Sequence, residues 1–147
     1  MRRVQSVQSV ELSTIAHATD DLEKVQVALN RLLPDSLKGR QIFTRRYLQG
    51  HYGNSIVTFE AHISNSSEID DFKAFFLKQL SEVDRNKIAR QLDQYTDDDG
   101  NLYIRIDKQR ILLGSTQLGQ EDPVRVRMKF TKFSGDTAAL MVEYLGS

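Results

Sequence analysis

A five-residue stretch between two strand-like runs carries side chains that can stack on a ligand and hydrogen-bond to it. It reads Gly-His-Tyr-Gly-Asn at residues 50–54. Its glycines permit the positive φ angles of a chain reversal, although an ordinary hairpin needs no more than Asn-Gly or Asp-Gly. The imidazole of His51, the phenol of Tyr52 and the amide of Asn54 therefore indicate either a ligand-binding loop or a hairpin with ordinary polar residues.

A second candidate site is a row of cations on one predicted strand. Apolar and polar residues alternate over Val124–Phe130, which directs Arg125, Arg127 and Lys129 outward. Such a row suits phosphate groups, but it also suits an edge strand whose charges prevent pairing with another sheet. The preceding strand, Asn101–Asp107, and the residues after it add Tyr103, Arg105, Asp107, Lys108 and Gln109.

Two histidine motifs provide an enzymatic alternative. The chain contains His17-Ala-Thr19 and His62-Ile-Ser64, each at the end of a predicted strand. In two-histidine phosphoesterases such a pair supplies the acid and the base, and the hydroxyl groups hold the phosphate. Both hydroxyl residues also precede predicted helices, where N-capping already explains them. A phosphodiesterase using His17 and His62 therefore stays as an alternative to binding alone.

Composition limits the class of protein. The chain has 147 residues, 39% of them apolar, which fits one domain (1–147) with its core over about 9–145. Without cysteine it has no disulfide framework or thiolate site, which fits a cytoplasmic protein. Twenty basic residues balance twenty acidic ones, which excludes a strongly basic nucleic-acid binder but still allows a local basic face. No spacing typical of metal ligands stands out, and no cofactor is predicted.

Hydrophobic periodicity predicts the elements that position these residues. The predicted order is strand, helix, two strands, one long helix or two, two strands and a final helix. This order favours an α+β fold, a two-layer sandwich of a mixed or antiparallel sheet with helices on one face and the other face open. The predicted boundaries include strands Val4–Ala18, Gln41–Leu48 and Ser55–Ser64, a helix Asp21–Leu33 capped by Asp20, and a last helix capped at Asp136.

Two of these segments resemble a known family. The Gly-His-Tyr-Gly-Asn hairpin followed by an Ile-Val strand, together with Asp-Gly-Asn-Leu-Tyr-Ile-Arg-Ile-Asp-Lys-Gln at 99–109, is similar to an archaeal family of predicted RNA-binding, exosome-associated proteins. His-Ala-Thr-Asp-Asp at 17–21 is similar to the family's segment after its first strand. The resemblance covers roughly residues 9–145. It implies a two-layer fold like that of a ribosomal protein that binds the small ribosomal RNA, and an archaeal cytoplasmic protein.

The residues and the resemblance together predict a non-catalytic RNA-binding protein, an accessory of the archaeal exosome or of other RNA-processing machinery. Cations are expected to meet phosphates, aromatic rings to stack on bases, and amides to read base edges. A structural subunit that dimerises without binding RNA stays as a further alternative. The expected RNA-binding residues are Arg45, Arg46, His51, Tyr52, Asn54, Tyr103, Arg105, Lys108, Gln109, Arg125, Arg127 and Lys129.

Overall fold

A computed structural model describes residues 6–17, 19–49, 53–131 and 137–146. The strands are β1 (Val7–His17), β2 (Thr44–Gln49), β3 (Ser55–Ile63), β4 (Asn101–Asp107) and β5 (Pro123–Phe130). The helices are α1 (Leu22–Arg31), α2 (Asp35–Lys38), α3 (Ser66–Gln79), α4 (Glu82–Arg90), α5 (Lys108–Leu112) and α6 (Thr137–Leu145), with a 3-10 turn at Leu92–Gln94. None of the helices in these ranges is long and apolar enough to span a membrane.

The strands form one antiparallel sheet in the order β2-β3-β1-β5-β4. This confirms the α+β class and resolves the choice between a mixed and an antiparallel sheet. Strand β5 lies between β1 and β4, so it is an interior strand. The interpretation of its cations as protection of a sheet edge is therefore wrong, because the hydrogen-bonding groups of β5 are already paired on both sides.

Alternate residues of each strand give the sheet two different faces. On one face the side chains are apolar and buried beneath the helices, as with Leu12, Phe59, Ile104 and Val126, which are all 0% exposed. Two phenylalanines of α3 stack in this core, with ring centroids 5.4 Å apart. These two rings, of Phe72 and Phe76, are buried because an amphipathic helix turns its apolar residues toward the sheet. Side chains of the opposite face are mostly half-buried or exposed, and we call this the open face.

Several boundaries differ from the expected ones for local reasons. Asp21, not Asp20, caps α1: it has extended backbone angles, and its Oδ1 accepts from the backbone N–H of Glu23 at 3.0 Å. Asp20 instead accepts from the N–H of His17 at 2.8 Å. Helix α1 ends at Arg31 rather than Leu33. Leu80 is extended and Ser81 caps α4, so of the two expected alternatives, one long helix or two, the structure has two helices.

Two short helices have no counterpart in the predicted order. Helix α2 follows Pro34, and β2 begins at Thr44 rather than at residue 41, where Gln41 has a φ of +48°. Helix α5 follows β4 directly, capped by Asp107, which accepts from the N–H of Arg110 at 3.0 Å. Elements of four and five residues are too short to show helical periodicity. The expected first residues of the long strand and the cap at Asp136 lie outside the described residues.

Candidate nucleic-acid interface

The register of the sheet brings together cations that the sequence placed on separate strands. On the open face Arg105 of β4 lies directly opposite Arg125 of β5, and Asn101 lies opposite Lys129. In antiparallel strands such partners have Cβ atoms about 4.5–5.5 Å apart. The basic row of β5 and the polar face of β4 therefore make one continuous surface.

The pair Arg105 and Arg125 is electrostatically unfavourable as it stands. Like charges directly opposite each other on neighbouring strands destabilise a sheet. Among the described residues, neither guanidinium group lies within 4.0 Å of a carboxylate. Both side chains are exposed. An anion bound between the two guanidinium groups would remove this repulsion, which makes the pair a candidate phosphate site.

Tyr103 positions one of these arginines. The guanidinium carbon of Arg125 lies 5.4 Å from the centroid of the Tyr103 ring, within cation–π range. The Tyr103 hydroxyl donates to Asp97 at 3.0 Å. Burial and then this hydrogen bond raise the pKa of Tyr103, so the phenol stays protonated. Tyr103 is thus held at both its ring and its hydroxyl, and it orients Arg125.

Asp97 anchors this end of the open face. Its carboxylate accepts from the side-chain amide and the backbone N–H of Asn101, each at 3.0 Å, and from Tyr103. Hydrogen bonds from Asn101, the side-chain one first, lower the pKa of Asp97 to about 2. The acidic run around Asp97 therefore contains a carboxylate that fixes the loop before β4 to the strand itself.

The remaining two cations of β5 differ in whether their charge is already compensated by a carboxylate of the protein. Arg127 lies opposite Glu11 of β1 and forms an ion pair with it. The same carboxylate lies 4.0 Å from Nδ1 of His62. Lys129 is exposed at the far end of the row. The charge of Arg127 is thus largely compensated within the protein, whereas Lys129 stays available.

Two predicted binding residues have contacts elsewhere. Lys108 is 3% exposed, and its ammonium group donates to the backbone oxygen of Ile15 at 2.8 Å and to Asp122 at 2.9 Å. Arg45 lies on the helix-covered side of β2, with its guanidinium carbon 4.9 Å from the Phe59 ring centroid. These two cations hold parts of the fold together.

Arg46 and the two predicted amides occupy other places. Arg46 lies opposite Thr58 on the open face, about three strand spacings, or ~14 Å, from β5. Asn54 precedes β3, and Gln109 lies on α5; both are exposed. They lie at the same end of the sheet, near opposite edges. His51 and Tyr52 lie outside the described residues, so their predicted roles stay predictions.

The two histidines of the enzymatic alternative do not converge. His17 pairs with Ile56, and His62 pairs with Glu11, so the two imidazoles lie at opposite ends of the β1–β3 ladder. Six residues of β1 separate the two positions, which corresponds to about 20 Å. An acid and a base acting on one phosphodiester must both reach it by hydrogen bonds. The predicted His17–His62 pair is therefore not formed.

A groove that the sequence did not indicate runs across the middle of the open face. It encloses about 540 Å³ between Arg105 and Arg125 at one end and Thr58 and Glu60 at the other. Ile15, which is 50% exposed, contributes to its floor. Parity alone puts Ile15 and Glu60 on the polar faces of their strands, but only the pairing of β1 with both β3 and β5 makes them neighbours of the arginines.

Comparison with known proteins identifies relatives of this chain. Residues 9–130 match the model of a family described as RNA binding. RNA-binding protein PAB1135 of Pyrococcus abyssi is 33% identical over 127 residues, which cover 85% of this chain and 82% of the relative.

Solved structures share the fold. The crystal structure of protein AF2318 from Archaeglobus fulgidus, of family model DUF54, has a TM-score of 0.82 and 30% identity over 94% of this chain and 99% of that one. Protein SSO0741 from Sulfolobus solfataricus has a TM-score of 0.77 at 19% identity, covering 94% and 97% of the two chains. The second likeness supports the fold alone.

Proposed function

The chain belongs to the archaeal RNA-binding family whose model it matches, and from this membership we propose that it binds RNA, without catalysis, on the open face of its sheet. The phosphate backbone lies along β4 and β5, where Arg105, Arg125 and Lys129 contact it. Cations that contact phosphates position a nucleic acid without reading its sequence.

The pairing of Arg105 with Arg125 is the observation that carries this proposal. Two exposed arginines face each other on an open sheet surface, with no carboxylate partner among the described residues. The arrangement is unfavourable in the free protein and favourable once a phosphate lies between the two groups. Because β5 is an interior strand, protection of a sheet edge does not explain its part in this pair.

The other predicted residues differ in how directly they contact the RNA in this proposal. Tyr103 orients Arg125, and Arg127 contacts a phosphate only by exchanging its partner Glu11. Arg46 contacts the strand of RNA where it leaves the face over β2. Asn54 and Gln109 contact bases near the rim, and stacking on bases stays the predicted role of His51 and Tyr52. With no net charge on the whole chain, binding is of modest affinity and sensitive to salt.

Fluorescence anisotropy of a labelled single-stranded oligouridylate, titrated with the protein at several salt concentrations, tests this function. The proposal expects binding whose log–log salt slope is about −0.7 for each phosphate contact. The double variant Arg105→Ala, Arg125→Ala is expected to reduce the magnitude of that slope by roughly 1.4, since two contacts are removed. Its free energy of unfolding should be unchanged or slightly higher, because the like-charge pair is gone.

Arg90→Ala is the matched control, because Arg90 is an exposed arginine on α4 in the helix layer. This variant should keep the full slope. No binding of the oligouridylate or of a hairpin RNA at low salt would contradict the proposed function. An equal loss of slope in Arg90→Ala would show that binding follows total charge rather than the open face.

The resemblance also implies partners beyond RNA. We propose an accessory role beside the archaeal exosome, and assembly of the chain with a second copy is the companion hypothesis. Mixing the purified protein with reconstituted exosome subunits and separating the complexes by size, with and without RNA, tests both. Elution at the monomer position in every mixture would contradict both.

A further inference from the structure

The groove across the open face has different chemistry at its two ends. Arg105 and Arg125 line one end, together with Asp122, whose carboxylate is paired with Lys108, and Glu60 lines the other end. Ser13 lies between these ends, and the apolar side chains of Ile15 and Pro123 line the groove beside it, two residues further along β1 and back along β5. A surface that only attracted phosphates would have no use for a carboxylate in the same groove, because that group repels them.

The register fixes the order of these side chains. Glu60 lies opposite Ser13, and Ser13 in turn lies opposite Arg125, so the carboxylate and the guanidinium group lie in one row across three strands. Two strand spacings separate them, which is about 10 Å. This is close to the span from the phosphate of a nucleotide to the far edge of its base. A phosphate held by the arginines therefore leaves its base over Ser13 and beside Ile15, with an edge directed at Glu60.

Glu60 is free to accept hydrogen bonds from such a base. Its side chain is exposed and has no hydrogen bond or ion pair with any of the described residues. An ionised carboxylate only accepts, and it does so with two oxygens side by side. The Watson–Crick edge of guanine presents two adjacent N–H donors, N1–H and N2–H. The corresponding edges of adenine, cytosine and uracil each present an acceptor beside their donor.

We propose that this groove binds an unpaired guanine nucleotide of the RNA, and that Glu60 is its specificity-determining residue. The base lies over Ser13 and against the exposed side chain of Ile15, and both Glu60 oxygens accept from its Watson–Crick edge. Splayed, unpaired bases are the usual targets of sequence-specific RNA recognition. This inference rests on the proposed function and assigns the base that the same site prefers.

The test uses four labelled single-stranded RNAs, which are an oligouridylate and the same oligomer with one central guanosine, inosine or adenosine. The guanosine oligomer is expected to bind the wild-type chain roughly tenfold to a hundredfold more tightly than the oligouridylate. Inosine, which lacks the N2 amino group, should lose most of that gain. Adenosine should bind like uridine, since it offers the carboxylate one donor and one acceptor.

Glu60→Gln keeps the size of the side chain and removes its charge. It should abolish the preference for guanosine while leaving binding to the oligouridylate unchanged or slightly tighter, because a repulsive charge is removed. Glu82→Gln, an exposed carboxylate at the start of α4, should change neither affinity. Circular dichroism would show that both variants stay folded.

The possible results separate the two proposals. Equal binding of all four oligomers, or a guanosine preference that survives in Glu60→Gln, overturns the guanine site and leaves RNA binding on the open face intact. Absence of binding to any oligomer at low salt overturns both proposals. A preference that disappears with inosine and with Glu60→Gln alike supports the assignment of Glu60.

Discussion

The two faces of β5 differ in nearly every property, although alternate residues of one eight-residue strand form them. Val124, Val126 and Met128 are 0% exposed beneath the helices, whereas Arg125 and Lys129 are exposed on the open face. Burial of the apolar face stabilises the fold, and the cations on the other face contribute little to it. Stability and the proposed binding therefore depend on different residues of the same strand, and substitution can change one without the other.

The largest effect is expected on the buried face of β3. Phe59 is fully buried, and Phe59→Ala should lower the free energy of unfolding by about 3–5 kcal/mol, because it removes apolar contacts and leaves a cavity. The adjacent Thr58 lies on the open face, and Thr58→Ala should change stability by no more than about 0.5 kcal/mol. Urea unfolding of both variants measures the difference. Similar losses in the two variants would refute the division of the strand into two faces.

Lys108 tests whether a cation near the open face supports the fold. Lys108→Ala should lower the free energy of unfolding by about 2 kcal/mol, since it leaves the Ile15 carbonyl without its donor and Asp122 without its counter-ion. The loss is smaller than for a fully buried pair because the Asp122 side chain is 44% exposed.

Lys129→Ala is the matched comparison, because Lys129 is exposed. It should leave stability nearly unchanged and reduce the salt slope of RNA binding by roughly 0.7. Lys108→Ala should leave that slope unchanged. The reverse pattern would show that Lys108 leaves its buried position to bind RNA.

Arg105, Arg125 and Lys108 show which features of the candidate site can be predicted from the sequence. Alternation within each strand correctly predicts that both arginines point away from the core. It cannot predict that they face each other, because strand register depends on contacts that are remote in sequence. Nor does it show that Lys108 is buried, since Asp122 and the Ile15 carbonyl reach it only in the folded chain.

The interior position of β5 also depends on pairing between residues that are remote in sequence. One neighbour of β5 is β1, whose residues are more than a hundred positions away, as in the pairing of Ser13 with Arg125. Alternation within the strand is identical for an edge strand and for an antiparallel interior strand with one open face. The alternation of β5 therefore fits an edge strand equally well, and only the strand order shows that β5 is interior. The groove containing Glu60 depends on the same pairing, which is why no sequence motif indicates it.

Arg45 and Arg46 are consecutive arginines of β2 that lie on opposite faces of the sheet, so they allow a second comparison of the two faces. Arg45→Ala should lower the free energy of unfolding by about 1 kcal/mol, because it removes the contact with the Phe59 ring and the 3.6 Å ion pair with Glu23. Arg46→Ala should leave stability unchanged and weaken RNA binding slightly. Anisotropy and urea unfolding on both variants measure the two effects. A larger loss of RNA affinity in Arg45→Ala than in Arg46→Ala would contradict the open-face assignment.

Asp97 connects the open face to the stability of the loop before β4, and its effect depends on pH. Its pKa in the folded chain is about 2, below the ordinary value of 3.8, because Asn101, Tyr103 and the backbone donate hydrogen bonds to its carboxylate. A depressed pKa means that the unfolded chain binds the proton more readily, so the contribution is complete above about pH 4 and is lost as the pH falls toward 2. Asp97→Asn should therefore show a weaker decline of unfolding free energy between pH 5 and pH 2 than the wild-type chain.

Asp93→Asn serves as the control for Asp97, because Asp93 is an exposed carboxylate on the 3-10 turn. It should keep the acid dependence of the wild-type chain. Since Asp97 holds Tyr103, and Tyr103 orients Arg125, Asp97→Asn should also weaken RNA binding modestly at neutral pH. A variant that loses the acid dependence yet binds RNA as the wild-type chain does would show that Arg125 needs no support from the Tyr103 ring. In that case the arginine pair alone would account for binding, and the open face would be independent of the loop that adjoins it.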